Sequence, residues 1–466
     1  MPEPELAGRP PLDLSQPGLV VHVVAAGGTG MSAIAEVLLG MGHRVSGSDL
    51  RSSGALSRLG ALGATVAIGH DAGNLPADVD LVTISTAVPP TNPEVVVARE
   101  RGVPVLSRAA VLAAITRQRR TIAVAGTHGK TTTSALVAMA LDGAGLHPSY
   151  VVGGEITGLG TGARWSDGDW LVVEADESDG TFLDLAVEIA LVTSVEPDHL
   201  EHYGGFERQV EAFARFLAGA SGGRIVCADD PAAASLGEAA GARTYGFAPG
   251  ADVRITGYTG ERRGSRFCLV ADDGNLGEVR LALPGRHNAR NAAAALSAAV
   301  AAGAPADLAV TAIGAFAGVG RRSQLRGERD GVTFVDDFAH LPGEVAPSLA
   351  AAREGGWGRV VCVFQPHRYS RTEALWADFA DAFVDADVVA VTEIYAAGET
   401  PRPGVSGRLV ADAVRDAHPD ARVVWLPERA ALAAFLRAEL RPGDLCLTLG
   451  AGDLTTLPDE LLAGSR

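Results

Sequence analysis

Short apolar runs rich in β-branched residues alternate with longer Ala/Leu-rich stretches through almost the whole chain, and the alternation restarts three times. This pattern belongs to open, largely parallel α/β sheets, in which crossover helices cover both faces. The first start predicts a strand at Val20–Val24, a turn through Ala25-Ala26-Gly27-Gly28-Thr29-Gly30 into a helix, and strands near 44–47 and 81–85. The second predicts a strand over 121–125, a helix over 131–141, strands at Trp170–Glu174 and 188–193, and a turn-rich antiparallel insertion over 254–283. The third opens near Gly320, with strands expected over 332–335, 359–364, 388–392 and 445–449. At 466 residues the chain is too long for one hydrophobic core and suits two to four domains.

Composition narrows the partners. A formal net charge of -17 without any Lys/Arg run argues against nucleic acid as a ligand. No apolar stretch is long enough for a membrane span. Cys227, Cys268, Cys362 and Cys446 are widely separated and form no CxxC pair, which suggests reduced thiols and a cytoplasmic protein. Residues 1–16, rich in proline and acid and without a signal-peptide pattern, read as a flexible lead-in.

Among 39 basic residues a single one is lysine, Lys130, within Gly126-Thr127-His128-Gly129-Lys130-Thr131-Thr132. Where arginine serves nearly everywhere, a lone ammonium marks a place for a compact point charge, the form in which phosphate-loop lysines meet a nucleotide's outer phosphates. A strand before and a helix after place backbone N–H groups and the positive helix end around a phosphate. The loop is shorter than the usual GxxxxGK[ST] spacing, because Val124 stands where the first glycine would be.

The apolar strand at Trp170–Glu174 ends in Glu174-Ala175-Asp176-Glu177-Ser178-Asp179, carboxylates at the strand end where open α/β sheets bind ligands. Thr131 and Glu174 are candidate ligands for Mg²⁺ carried on the nucleotide, and His199 for a second ion. For Asp176, Glu177 and Asp179, a solvated loop with capping duties is an equal alternative.

Taken in order, the central loop, the 174–179 acids, Glu196-Pro197-Asp198-His199, Gly285-Arg286-His287-Asn288 with Asn291, Gly318 to Arg322, Asp336-Asp337-Phe338-Ala339-His340 and Phe364 to Arg371 resemble the Mur ligases. The resemblance implies a three-domain enzyme: a Rossmann-like UDP-sugar domain (1–117), a central phosphate-loop ATPase domain (118–319) and a Rossmann-like amino-acid domain (320–466). It implies ATP-driven amide formation through an acyl phosphate, with ATP and Mg²⁺. By motif position, Gly126, Thr127, His128, Gly129, Lys130, Thr131, Thr132, His287, Asn288, Asn291, Arg322 and Asp336 would address ATP. His340, Arg368 and Arg371 would take the amino acid, and Lys130, Glu174 and His199 would surround the chemistry.

In the first domain Gly27, Gly28, Gly30 and Asp49 mimic a dinucleotide fingerprint, but Ala25 replaces its first glycine, which disfavours a nicotinamide cofactor. The resemblance puts uridine diphosphate there instead, with Ser32 and His70 as further contacts. Sister ligases use a carbamylated lysine, and this chain has no second lysine. That disfavours the sister branches, and the resemblance implies the branch that joins L-alanine to UDP-N-acetylmuramate. Phe338 and Leu341 stand where the family usually has tyrosine and a second histidine, so a divergent paralogue with another acceptor is kept as an alternative. Whether the protein is a monomer or a homodimer is left open.

Overall fold

The computed structural model describes residues 12–271 and 274–463. It forms two compact units: one runs to Arg254 and includes Val270–Leu276 and Asn291–Ile313, and the other holds Ile255–Leu269, Gly277–Arg290 and the chain from Gly314 onward.

The first unit begins with β1 (Val20–Val24), α1 (Thr29–Gly40), β2 (Arg44–Asp49), α2 (Gly54–Ala61), β3 (Thr65–Ile68), β4 (Leu81–Ile84), α3 (Pro93–Glu100), β5 (Val105–Ser107) and α4 (Arg108–Thr116). Their five strands lie in the order β3-β2-β1-β4-β5, with all four pairings parallel. The central strand β1 is buried along its whole length, which explains its unbroken valine-rich sequence. Edge strand β3 is mostly exposed and carries no such signal, so periodicity overlooks it. The lead-in expected over residues 1–16 lies outside the described residues as far as residue 11. Beyond that point it is not free, because Leu14 is buried in the core beside β1 and α1.

The chain continues through β6 (Arg120–Ala125), α5 (Lys130–Gly143), β7 (Ser149–Ile156), β8 (Thr161–Arg164), β9 (Trp170–Glu174), β10 (Ile189–Val192), α6 (Leu200–Tyr203), α7 (Phe206–Gly219), β11 (Arg224–Cys227), α8 (Pro231–Ala240) and β12 (Arg243–Gly246). Their order is β12-β11-β10-β6-β9-β7-β8, parallel except for the β7–β8 hairpin. That hairpin lies against α1. Arg58 of α2 joins Glu36 of α1 at 2.7 Å to Glu155 of β7 at 3.1 Å, and Thr161 of β8 donates to Glu36. One apolar core runs from β1 and α1 through β6, β9 and β10 to α7.

Next come β13 (Val253–Glu261), β14 (Gly264–Ala271) and β15 (Gly274–Leu281), neighbours in sequence order. The two residues between β13 and β14 permit only hairpin pairing of those strands, as the expected insertion requires. α9 (Arg286–Ala301) and α10 (Ala306–Gly314) follow.

The last part of the second unit holds β16 (Gln324–Arg329), β17 (Val332–Asp337), α11 (Pro342–Glu354), β18 (Arg359–Phe364), α12 (Tyr369–Leu375), β19 (Val388–Val391), α13 (Arg408–Ala417), β20 (Val423–Trp425), α14 (Arg429–Glu439), β21 (Asp444–Leu449) and α15 (Leu457–Ala463). The sheet order is β16-β17-β21-β18-β19-β20, with only β16 antiparallel. Separate apolar clusters lie on its two faces.

Candidate active site

β6 delivers the chain into the loop at Gly126, whose φ of +130° and close approach to the Ser194 backbone leave no room for a side chain: a Cβ would lie 2.9 Å from Ser194 N. Gly129, at φ +81°, caps α5, and a Cβ there would lie 2.6 Å from Asn291 Oδ1. The segment after β10 clamps the loop from the side. Thr127 N donates to Ser194 O at 2.9 Å, His128 N to Ser194 Oγ at 3.1 Å, and Thr193 Oγ1 to His128 O at 2.5 Å. Glu196 N donates to Thr127 Oγ1 at 2.9 Å, and the His128 ring meets the Glu196 carboxylate at 3.1 Å. The loop is therefore held rigidly, and its cap glycine offers no side chain to the first N–H groups of α5, whose first turn contains no acid.

Lys130 opens α5. Its ammonium donates to Gly126 O at 2.6 Å, to Thr127 O at 3.3 Å and to Glu177 Oε1 at 2.9 Å. Burial disfavours the charged form, but Glu177, with Glu174 and Asp176 behind it, outweighs that cost and raises the lysine above its ordinary value. Lys130 is a fixed cation.

The acids after β9 divide by role. Glu174 accepts from Thr131 Oγ1 at 3.1 Å and from Gly153 N at 2.7 Å. Glu177 is buried against Lys130, which its exposed-looking sequence context did not disclose. Asp176 and Asp179 cap their own loop, accepting from Ser178 N at 3.0 Å and Thr181 N at 3.1 Å. Thr132 is buried in the first turn of α5. His199 has a positive φ of +53° and lies 3.3 Å from Asp198 Oδ2. Among the described residues no three His, Cys, Asp or Glu side chains converge as a ready-made metal cage.

In the first domain, Gly27 N donates to Asp49 Oδ2 at 2.9 Å, and Gly28 caps α1. Ala25 adopts the left-handed backbone that favours glycine, with φ +62°. Ser32 is buried and turns its hydroxyl to Thr29 O at 3.1 Å. His70 Nδ1 lies 2.9 Å from Ser48 Oγ, which donates to Glu94 Oε2 at 2.6 Å. Burial pushes the Glu94 carboxyl up, but hydrogen bonds from His22, Ser48 and Asn74 hold it down at about 2. The sequence reading missed Glu94, because a single acid in the first turn of a helix looks like dipole compensation.

In the third domain, Arg321 and Arg322 both stack on Phe338, each guanidinium carbon 4.8 Å from the ring centroid. Arg321 also donates to Gly450 O at 2.9 Å and Gly452 O at 3.1 Å. Asp336 is buried and accepts from Thr448 at 2.8 Å and Thr455 at 2.6 Å, so its carboxylate is engaged inside the domain. His340, His367 and Tyr395 form a chain of rings with centroid spacings of 5.5 and 5.8 Å. Arg371 Nη1 donates to His367 Nδ1 at 3.1 Å. Burial, then the neighbouring His340, Arg371 and Arg368, pushes His367 down to about 3. Burial likewise lowers His340, whose ring meets Phe338 O at 3.0 Å. Arg368 has φ +67°, and its buried Nε has no hydrogen-bond partner. On α9, Asn288 donates to Pro284 O at 2.8 Å, and burial followed by Arg290 pushes its neighbour His287 down to about 4.

A rigid strand–glycine turn–helix with a buried lysine, a hydroxyl–carboxylate pair at the next strand's end and three α/β domains define a nucleotide-dependent enzyme. Residues 20–120 match the Mur ligase family, catalytic domain; 124–299 the Mur ligase middle domain; and 321–452 the Mur ligase, glutamate ligase domain. The UDP-N-acetylmuramate--L-alanine ligase of Solidesulfovibrio magneticus is 47% identical over 96% of this chain and 98% of its own. That of Kineococcus radiotolerans is 49% identical over 95% of both. The solved UDP-N-acetylmuramate-alanine ligase MurC of Thermotoga maritima superposes with a TM-score of 0.80 at 27% identity, covering 96% of this chain and 98% of that one. The chain belongs to the Mur ligase family.

Proposed function

We infer that this protein is an ATP-dependent ligase that joins L-alanine to the lactyl carboxylate of UDP-N-acetylmuramate, releasing ADP and phosphate, a step of peptidoglycan precursor synthesis. The observation that carries this reading is the fixed Lys130 at the opening of α5, in a chain 44–49% identical to alanine-adding ligases over nearly its whole length. That identity disfavours the divergent-paralogue alternative despite Phe338 and Leu341.

In the proposed mechanism the loop from Gly126 to Thr132 holds ATP by its backbone N–H groups, and Asn291, lying over Gly129, limits how the nucleotide sits. The lactyl carboxylate attacks the γ-phosphorus. The bond to the bridging oxygen breaks, ADP leaves and an acyl phosphate forms. Lys130, kept charged by Glu177, offsets the negative charge that gathers on the transferring group. The alanine amine then attacks the acyl carbon, the carbon–oxygen bond breaks, inorganic phosphate leaves and the nitrogen gives up a proton.

The Thr131–Glu174 pair suits Mg²⁺, which takes one or two protein oxygens together with phosphate oxygens and water rather than a dedicated cage. Those two residues would hold it, and the ion would supply charge neutralisation across the phosphates. His199 is the candidate for a second ion. Arg368 and Arg371 are suited to the carboxylate of alanine, the former through its unpartnered Nε, with His340 beside them. His287, Asn288, Arg322 and Asp336 stay assigned by motif to the nucleotide, and Gly27, Gly28, Gly30, Ser32, Asp49 and His70 to the sugar nucleotide. The domain boundaries proposed are 117/118 and 319/320. No described helix is long and apolar enough to cross a membrane, and we place the enzyme in the cytoplasm.

ADP release with a panel of acids and amines tests this reading. UDP-N-acetylmuramate with L-alanine should give turnover that needs all three substrates. Turnover with another pair and none with this one contradicts it.

A further inference from the structure

Gly30 has ordinary backbone angles, so its lack of a side chain has another cause. The Arg108 side chain lies across it: a Cβ at position 30 would stand 2.7 Å from Arg108 Nη1 and 3.2 Å from its Cδ. Arg108 is the first residue of α4, the helix that follows β5 and packs beside α1, and its side chain reaches the turn between β1 and α1. A cation at a helix's first residue is opposed by the helix dipole, and no acid in that turn offsets it. The charged partner it has is Asp176, at 3.6 Å, beyond hydrogen-bond distance and with both side chains more than a third exposed. Such a pair contributes little to stability and does not account for a side chain held flat against a glycine.

The turn beneath needs a cation. Asp49 places a carboxylate on Gly27 N, which repels any anion bound at the start of α1. A doubly charged group there requires a positive counterpart, and the turn itself contains none. We propose that Arg108 grips the diphosphate of the sugar nucleotide over the Gly27–Gly30 turn, exchanging Asp176 for the ligand when the substrate binds. The guanidinium presents paired N–H donors suited to phosphate oxygens, and its long side chain permits the exchange. This role rests on the proposed binding of a UDP-sugar in the first domain.

Calorimetric binding of UDP-N-acetylmuramate, UDP and uridine to the full-length protein tests it. Arg108→Ala should weaken the first two at least about tenfold and leave uridine unchanged, with Arg108→Lys recovering part of the loss. In steady state the KM for the sugar nucleotide should rise while those for ATP and alanine stay within about twofold. Gly30→Ala, which displaces the guanidinium without removing its charge, should show the same selectivity and add little to Arg108→Ala. Equal weakening of uridine, an unaffected UDP affinity in Arg108→Ala, or fully additive losses in the double variant would overturn the role. If the unaltered protein bound none of the three ligands, the reading on which the role rests would fall with it. Binding by the unaltered protein with an unaffected variant overturns the role alone.

Discussion

The turn after β1 and the loop after β6 have the same construction: a buried parallel strand, a glycine-containing turn and a helix opened by a glycine cap without side-chain help. They differ in where the positive charge originates. In the central domain Lys130 lies four residues past Gly126 and is locked by Glu177. In the first domain the turn has only an acid, Asp49, and its cation arrives from Arg108, 78 positions after Gly30. A built-in cation makes a loop rigid and legible in sequence. A cation on loan from another element can exchange partners, and only a folded chain discloses it.

Substitution of the two cations should separate them most widely. Lys130→Arg should lower ligation at least about a thousandfold while circular dichroism and melting stay close to the parent, because a planar fork cannot replace a buried point charge between Gly126 O and Glu177. Near-normal turnover would remove the distinction between fixed and exchanging cations. Glu177→Gln should come next. Loss of a buried counter-ion should lower stability by about 3 kcal/mol in denaturant titration and depress kcat, whereas Asp176→Asn, which loses an exposed pair with Arg108 but keeps an acceptor for Ser178 N, should change stability by less than about 1 kcal/mol.

The glycines offer a smaller contrast. Gly129→Ala meets both a left-handed φ and the Asn291 amide, so a stability loss of about 2 kcal/mol and weaker ATP binding are expected. Gly30→Ala meets the far end of a flexible arginine and should cost under about 1 kcal/mol. Equal losses would show that the two turns are equally rigid. The smallest effect concerns pH. His287 falls from 6.5 to about 4 on folding, so the unfolded chain binds more protons between those values. Its contribution to stability is complete above pH 6.5 and is lost as pH falls toward 4; His287→Gln should flatten that acid slope in thermal melts.

Much of the architecture was readable because parallel central strands are buried on both faces. β1, β9 and β18 occupy the spans that their apolar runs predict. β3 and β16 are edge strands with weak patterns, and neither was foreseen. The glycine turn from β6 into α5 was legible since its glycines and lysine are contiguous. Glu177, Glu94 and Arg108 were not, because each acts on a residue at least 24 positions away: Lys130 for the first, Ser48 and His70 for the second, Gly30 for the third. Ala25 misleads in the other direction, since its identity argues against the fingerprint while its backbone adopts the conformation that favours glycine.

The most direct test of the central claim, that the Lys130 site moves a phosphoryl group onto a carboxylate, uses UDP-N-acetylmuramate carrying ¹⁸O in its lactyl carboxylate. With ATP and L-alanine, mass spectrometry should find one labelled oxygen in the released phosphate and one in the alanine amide. Unlabelled phosphate beside the same amide would contradict the account.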